Sequence, residues 1–93
     1  MSYDITATPK EVSEAQFEYL NSANEQRLYE VNSSSPGILK IVNAFVSLQR
    51  KEKGIIKMHV APMSLEKQVQ AFIFVTDTTT RKTDSFSFSI KYI

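Results

Sequence analysis

Ser85-Phe86-Ser87-Phe88-Ser89-Ile90-Lys91-Tyr92 alternates large apolar residues with small or charged ones along its whole length. A repeat of two puts Phe86, Phe88, Ile90 and Tyr92 on one side of an extended chain. This predicts a strand with one face in a core and the other in water. A helix would scatter the same four side chains around its circumference and bury none of them well.

Working back towards the N-terminus, Val69-Gln70-Ala71-Phe72-Ile73-Phe74-Val75-Thr76 is rich in β-branched and aromatic residues and nearly continuous. It reads as a central strand covered on both faces. The two strands should form a hairpin, and their polar, glycine-free connection from Asp77 to Thr83 predicts a loop longer than two residues. Gly54 to Val60 places Ile56, Met58 and Val60 on one face, and Ala61-Pro62 ends that ladder because proline has no N–H to donate. Leu39-Lys40-Ile41 and Ala44 to Leu48 read as one or two short strands, introduced by the loop Asn32 to Gly37, and Arg27 to Val31 reads as another. The beginning of the chain has two readings. Thr8-Pro9-Lys10-Glu11 has the form of a capping box with Val12, Ala15 and Tyr19 at helical spacing. Ala15, Phe17 and Tyr19 also alternate with Gln16 and Glu18, and Asn21 to Glu25 has the composition of a turn after a strand. The strand reading is favoured. About seven short strands joined by polar turns predict an all-β, antiparallel sandwich.

Ninety-three residues with 42% hydrophobic content fit one domain, residues 1–93, either as a whole protein or as a piece of a longer one. Cysteine is absent, which removes disulfides and thiolate metal sites and fits a reducing compartment. No signal-like segment and no long apolar run is present, so a soluble, cytoplasmic protein without a transmembrane segment is expected. A net charge of +1 gives no case for nucleic acid. The charge is uneven, however. Residues 1–30 set Lys10 and Arg27 against Asp4, Glu11, Glu14, Glu18, Glu25 and Glu30, and the remainder is predominantly basic.

Few residues invite a catalytic reading. His59 alternates with Ile55 and Lys57 on the face away from the expected core, and a zinc ion there would have only carboxylates as further ligands. Serines are plentiful, but no G-x-S-x-G elbow surrounds any of them. Gly37 and Gly54 are isolated and cannot build a phosphate-cradling loop. No enzymatic activity, cofactor or metal is therefore expected. Glu11, Glu14 and Glu18 would split between the faces of a strand or form a solvated stripe on a helix. The one non-random surface feature is basic: Arg50, Lys51 and Lys53 in one loop, Arg81 and Lys82 in another. Successive connections of an antiparallel sandwich alternate between its ends, which puts both loops, and Asn21 to Gln26 with them, at the same end. A basic rim there would attract an acidic peptide or an anionic surface.

The order and spacing of Phe17-Glu18-Tyr19-Leu20-Asn21, Arg27-Leu28-Tyr29-Glu30-Val31, Ser34-Ser35-Pro36-Gly37-Ile38-Leu39, Ile56-Lys57-Met58-His59-Val60-Ala61-Pro62, Phe72-Ile73-Phe74-Val75-Thr76-Asp77 and Asp84 to Tyr92 resemble the nephrocystin-4 C-terminal domain family. That family lies within the major-sperm-protein-like, PapD-like group of immunoglobulin-like folds. Asn21-Ser22 stands where the family commonly has Asn-Pro, and the glycine-rich turn before Gly54 is missing. The resemblance implies a scaffold or adaptor of the ciliary transition zone, basal body or cytoskeleton, with protein partners and no catalytic step. It also implies strand-ending or turn-fixing roles for Asn21, Pro36, Pro62 and Asp77. A self-assembling structural protein and a small inhibitor of a hydrolase are the alternatives.

Overall fold

A computed structural model describes residues 2–62 and 68–93. The described residues form the strands β1 (Ser2–Ala7), β2 (Ser13–Leu20), β3 (Arg27–Ser33), β4 (Leu39–Ile41), β5 (Phe45–Leu48), β6 (Lys53–Val60), β7 (Gln68–Asp77) and β8 (Thr83–Tyr92), with no helix among them. They make two sheets, a five-stranded one in the order β1-β8-β7-β3-β5 and a three-stranded one in the order β2-β6-β4. All pairings are antiparallel except β1 with β8, which run parallel with Tyr3 beside Phe88 and Ile5 beside Ile90.

The alternation read in β8 sets the core. Phe86, Phe88, Ile90 and Tyr92 are buried, as are Ala71, Ile73 and Val75 beside them on β7. From the opposite sheet come Phe17 of β2 and Ile56, Met58 and Val60 of β6. Phe17 meets Phe86 and Phe88 with ring centroids 4.9 and 5.4 Å apart, and Tyr3 stacks on Phe88 at 5.1 Å. Each such buried side chain contributes about 1.5–3 kcal/mol through removal from water, and the tilted ring pairs add to that.

Two open readings are settled in the structure and two are corrected. Residues 13–20 are the strand that was favoured over a helix, because pairing with β6 turns Ala15, Phe17 and Tyr19 inward together, and no helix could do this against a sheet. Residues 39–48 form two strands that lie in different sheets. The switch takes place at Val42-Asn43-Ala44. The Val42 N–H still donates to the Lys57 carbonyl at 2.9 Å, and the Ala44 carbonyl already accepts from Val31 of the other sheet at 2.7 Å. Between them the Asn43 carboxamide donates to the Ile55 carbonyl at 3.0 Å and accepts the Lys57 N–H at 2.8 Å. A side chain thus stands in for the missing strand. Third, β7 is central but covered on one face only: Phe72 is 40% exposed on its outer side. Burial from two sides needs a third layer, which two sheets do not provide. Finally, Lys53 is the first residue of β6, outside the loop to which it was assigned.

Candidate interaction surface

The connections β2–β3, β5–β6 and β7–β8 meet at one end of the sandwich, and Asn21 holds the first two together. Its side chain is fully buried, which a carboxamide tolerates only when its hydrogen bonds are made. Nδ2 donates to the Glu25, Leu48 and Gln49 carbonyls at 3.0, 3.2 and 3.0 Å, and Oδ1 accepts the Ala23 N–H at 3.0 Å and the Tyr29 hydroxyl at 2.7 Å. The backbone N–H of Asn21 donates to the Glu52 carbonyl at 2.9 Å. The β7–β8 loop joins the same end through Thr78, whose N–H and hydroxyl both donate to the Leu28 carbonyl at 3.1 and 2.8 Å.

Within this frame the acidic groups are occupied. Asp77 accepts the N–H groups of Thr79 and Thr80 at 2.8 and 3.3 Å and lies 3.6 Å from Arg27 Nε. Burial alone would raise its pKa, but the two N–H donors and the Arg27 guanidinium outweigh that and hold it below the usual carboxylate value. Arg27 also pairs with Glu25 at 2.9 Å, and its Nε is buried without a hydrogen bond among the described residues. Glu52 Oε1 accepts the Gln49 N–H at 2.8 Å. Asp84 on β8 accepts the Tyr19 hydroxyl of β2 at 2.5 Å, a clasp between the two sheets. Burial, followed by this bond to Asp84 and its charge, pushes the Tyr19 phenol well above the ordinary tyrosine range.

The basic side chains differ. Arg50, Lys51, Arg81 and Lys82 are all exposed. Lys51 Nζ donates to the Ser22 carbonyl, spanning two of the loops. The heads of Arg50, Arg81 and Lys82 have no partner among the described residues. Lys51 and Arg81 are the two non-glycine residues with positive φ among the described residues, 58° and 65°. Each closes its turn in a left-handed conformation that ordinarily selects Gly or Asn. Cations therefore stand at both positions where a glycine would be easier for the backbone.

Lys53 faces outward from the three-stranded sheet, below the rim formed by Arg50, Lys51, Arg81 and Lys82. His59 is exposed on the same face, with Nε2 3.9 Å from Glu14 Oε1. Glu14 and Glu18, four residues apart, share that outer face of β2 and do not split between faces, and Glu11 lies in the turn before the strand. Lys57 and Lys40 join Lys53 there. The spacing Lys53-x-Ile55-x-Lys57 carried the first pairing in the sequence, but Lys40 arrives only because β4 places it opposite His59. Among the described residues no group of His, Cys, Asp and Glu is placed to hold a metal ion, and no helix is long and apolar enough to cross a membrane.

Residues 3–93 match the family model described as NPH4 Ig-like domain 4. No curated protein matches the chain. Solved structures similar to it include the CupB2 chaperone of Pseudomonas aeruginosa, with a TM-score of 0.74 at 8% identity over 95% of this chain and 52% of that one. The E. coli chaperone DraB gives 0.74 at 8% identity, over 96% and 51%. The Caenorhabditis elegans MSP-domain protein SSP-19 gives 0.66 at 13% identity, over 94% and 92%. The chain spans about half the length of the two chaperones. At these identities the likeness is one of fold: an immunoglobulin-like sandwich of the kind seen in these two chaperones and in the MSP-domain protein.

Proposed function

The chain belongs to the family of the fourth Ig-like domain of nephrocystin-4, and from that premise we propose that it is a non-catalytic protein-interaction domain, a scaffold or adaptor within a ciliary transition-zone, basal-body or cytoskeletal protein. The observation that carries this reading is the asymmetry of the rim. Its carboxylates are bound internally by loop N–H groups, Arg27 and Tyr19, and the heads of Arg50, Arg81 and Lys82 project without partners among the described residues. Left-handed residues at Lys51 and Arg81 support it, because strain retained at a surface turn points to a role for the side chain rather than the fold. The partner contact it fits is an acidic segment, steered and oriented by charge more than by buried area.

The test is charge reversal of Arg50, Lys51, Arg81 and Lys82 to glutamate together. Binding of the immobilised domain to its partner in an extract of ciliated cells is measured over a salt series, and the tagged full-length parent is localised in parallel. The variant should bind at least about ten-fold more weakly and lose most of the salt dependence. Unchanged binding by a normally folded variant removes the rim from the reading, and a parent that never reaches the cilium or its base removes the ciliary role.

A further inference from the structure

The three-stranded sheet ends on β2, which pairs with β6 on one side and with no strand among the described residues on the other. At eight residues it is the longest of the edge strands, and β1, the element before it, lies in the other sheet beside β8. Register fixes which of its backbone groups face outwards. Along one strand of an antiparallel pair, residues directed at the partner alternate with residues directed away from it. Val42 donates to the Lys57 carbonyl and Ala61 donates to the Ile38 carbonyl, so Lys57, His59 and Ala61 are directed at β4. Ile56 and Met58 therefore face β2, where they meet Phe17 and Ala15. The Asn21 N–H, which reaches the Glu52 carbonyl at 2.9 Å, gives the same phase. Glu14, Gln16 and Glu18 are left with their N–H and C=O groups directed at the open edge, where no described residue bonds them.

We propose that this edge takes up an extended segment of a partner protein as a further antiparallel strand, one in which polar positions carrying cations alternate with apolar side chains. The proposal rests on the interaction-domain reading and adds a surface apart from the rim, with a ligand of the opposite charge. Pairs of hydrogen bonds with Glu14, Gln16 and Glu18 hold any such strand, and the side chains choose which one. Glu14 and Glu18 are exposed and stand about 13 Å apart on the outer face, so residues four apart on the ligand lie beside them. Lys57 and His59 lie on the far side of β2, opposite Gln16 and Glu14, and the sign of charge therefore alternates from β6 through β2 to an incoming cation. The preceding turn adds one charge of each sign, Lys10 and Glu11. On the inner side the ligand's apolar residues fall beside Ala15 and Tyr19, which pack on the core and remain half-buried. The same carboxylates exclude a second copy of this chain. Pairing β2 with itself, antiparallel about Gln16, sets Glu14 against Glu18 at both ends, and like charges directly opposite are destabilising. An acidic segment is turned away for the same reason.

The probe is the heptapeptide Val-Lys-Val-Thr-Val-Lys-Val, titrated into the isotope-labelled chain and followed by amide chemical shifts and hydrogen exchange. In register its lysines lie beside Glu18 and Glu14 and its threonine beside Gln16. Two N-methylated forms are the controls: methylation at the lysines and the threonine removes the N–H groups that face β2, and methylation at the three later valines removes only those that face away. The expected result is shifts concentrated at residues 13–20 and exchange slowed about ten-fold or more at Glu14, Gln16 and Glu18. The valine-methylated peptide should bind and the other should not, and the double variant Glu14→Lys, Glu18→Lys should bind the parent peptide about ten-fold or more weakly. Equal binding of the two methylated peptides would show attraction without a strand ladder and refute the proposal. Absence of binding, shifts that miss residues 13–20, or Glu14, Gln16 and Glu18 amides that exchange as slowly in the free chain as those of Ala15 and Phe17 would each overturn it as well. None of these outcomes bears on the rim, which is judged separately by its own four-residue variant.

Discussion

Asn21 occupies a position where a single carboxamide replaces what would otherwise be several separate loop contacts. Its removal leaves the buried Tyr29 hydroxyl and Leu48 carbonyl, and the part-buried Ala23 N–H and Gln49 carbonyl, without this partner. Asn21→Ala is expected to cost about 3 kcal/mol, since each stranded buried group carries a penalty of roughly 1–3 kcal/mol. In a domain of this size that corresponds to a fall of more than about 10 °C in melting temperature. Thermal denaturation followed by circular dichroism measures it, and a loss below about 1 kcal/mol would mean that the loops hold together without this side chain. The residue was recognisable in the sequence as a strand terminator, but its bridge to residues 48 and 49 was not, because those partners lie 27 and 28 positions away.

At the scale of elements, the β5–β6 and β7–β8 connections each contain a left-handed residue one position before their end. In the first, the Glu52 N–H closes the turn on the Gln49 carbonyl at 3.1 Å, with Lys51 in the position that type II turns give to Gly. In the second, the Arg81 N–H donates to the Asp77 carbonyl at 2.8 Å as the chain reverses. A side chain with a Cβ in this conformation costs about 1–2 kcal/mol. Lys51→Gly and Arg81→Gly should therefore each raise stability, by about 0.5–1 kcal/mol after the greater freedom of glycine in the unfolded chain is subtracted. Urea denaturation reads this directly, and a loss of stability in both variants would show that the side chains contribute more to folding than their conformation costs. The strands themselves were legible because a period of two marks each of them. The division of residues 39–48 was not, since nothing in Val42-Asn43-Ala44 announces that a chain leaves one sheet for the other.

For the molecule as a whole, Asp77 links stability to pH. Its folded pKa is depressed, so the stabilisation it supplies is complete above the unfolded aspartate value, about 3.9, and is lost as the pH falls through the lower folded value. Asp77→Asn should be less stable than the parent at pH 7, with the gap closing below about pH 4 as the parent's carboxylate takes up its proton. Denaturant midpoints measured from pH 7 down to the acid transition check the sign. A gap that stayed constant with pH would mean that the charge on Asp77 contributes nothing and that its loop bonds act only as geometry.

The sequence by itself determined the class of fold and the location of the core, because alternation along β2, β6 and β8 is a local property that any extended chain must express, and inward Phe17, Ile56 and Phe88 follow from it. It also determined which loops share an end, since antiparallel connections alternate. Tertiary structure alone decided which charges are free. Whether Asp77, Glu52 and Asp84 balance the nearby cations depends on donors brought from Thr79, Gln49 and Tyr19, and whether Lys40 joins Lys53 and Lys57 depends on a pairing between strands. The Tyr19–Asp84 bond and the Lys40–His59 pairing join distant positions that no spacing along the chain encodes, and the Asp77–Thr79 and Glu52–Gln49 bonds, two and three residues apart, form only once their loops take the folded course.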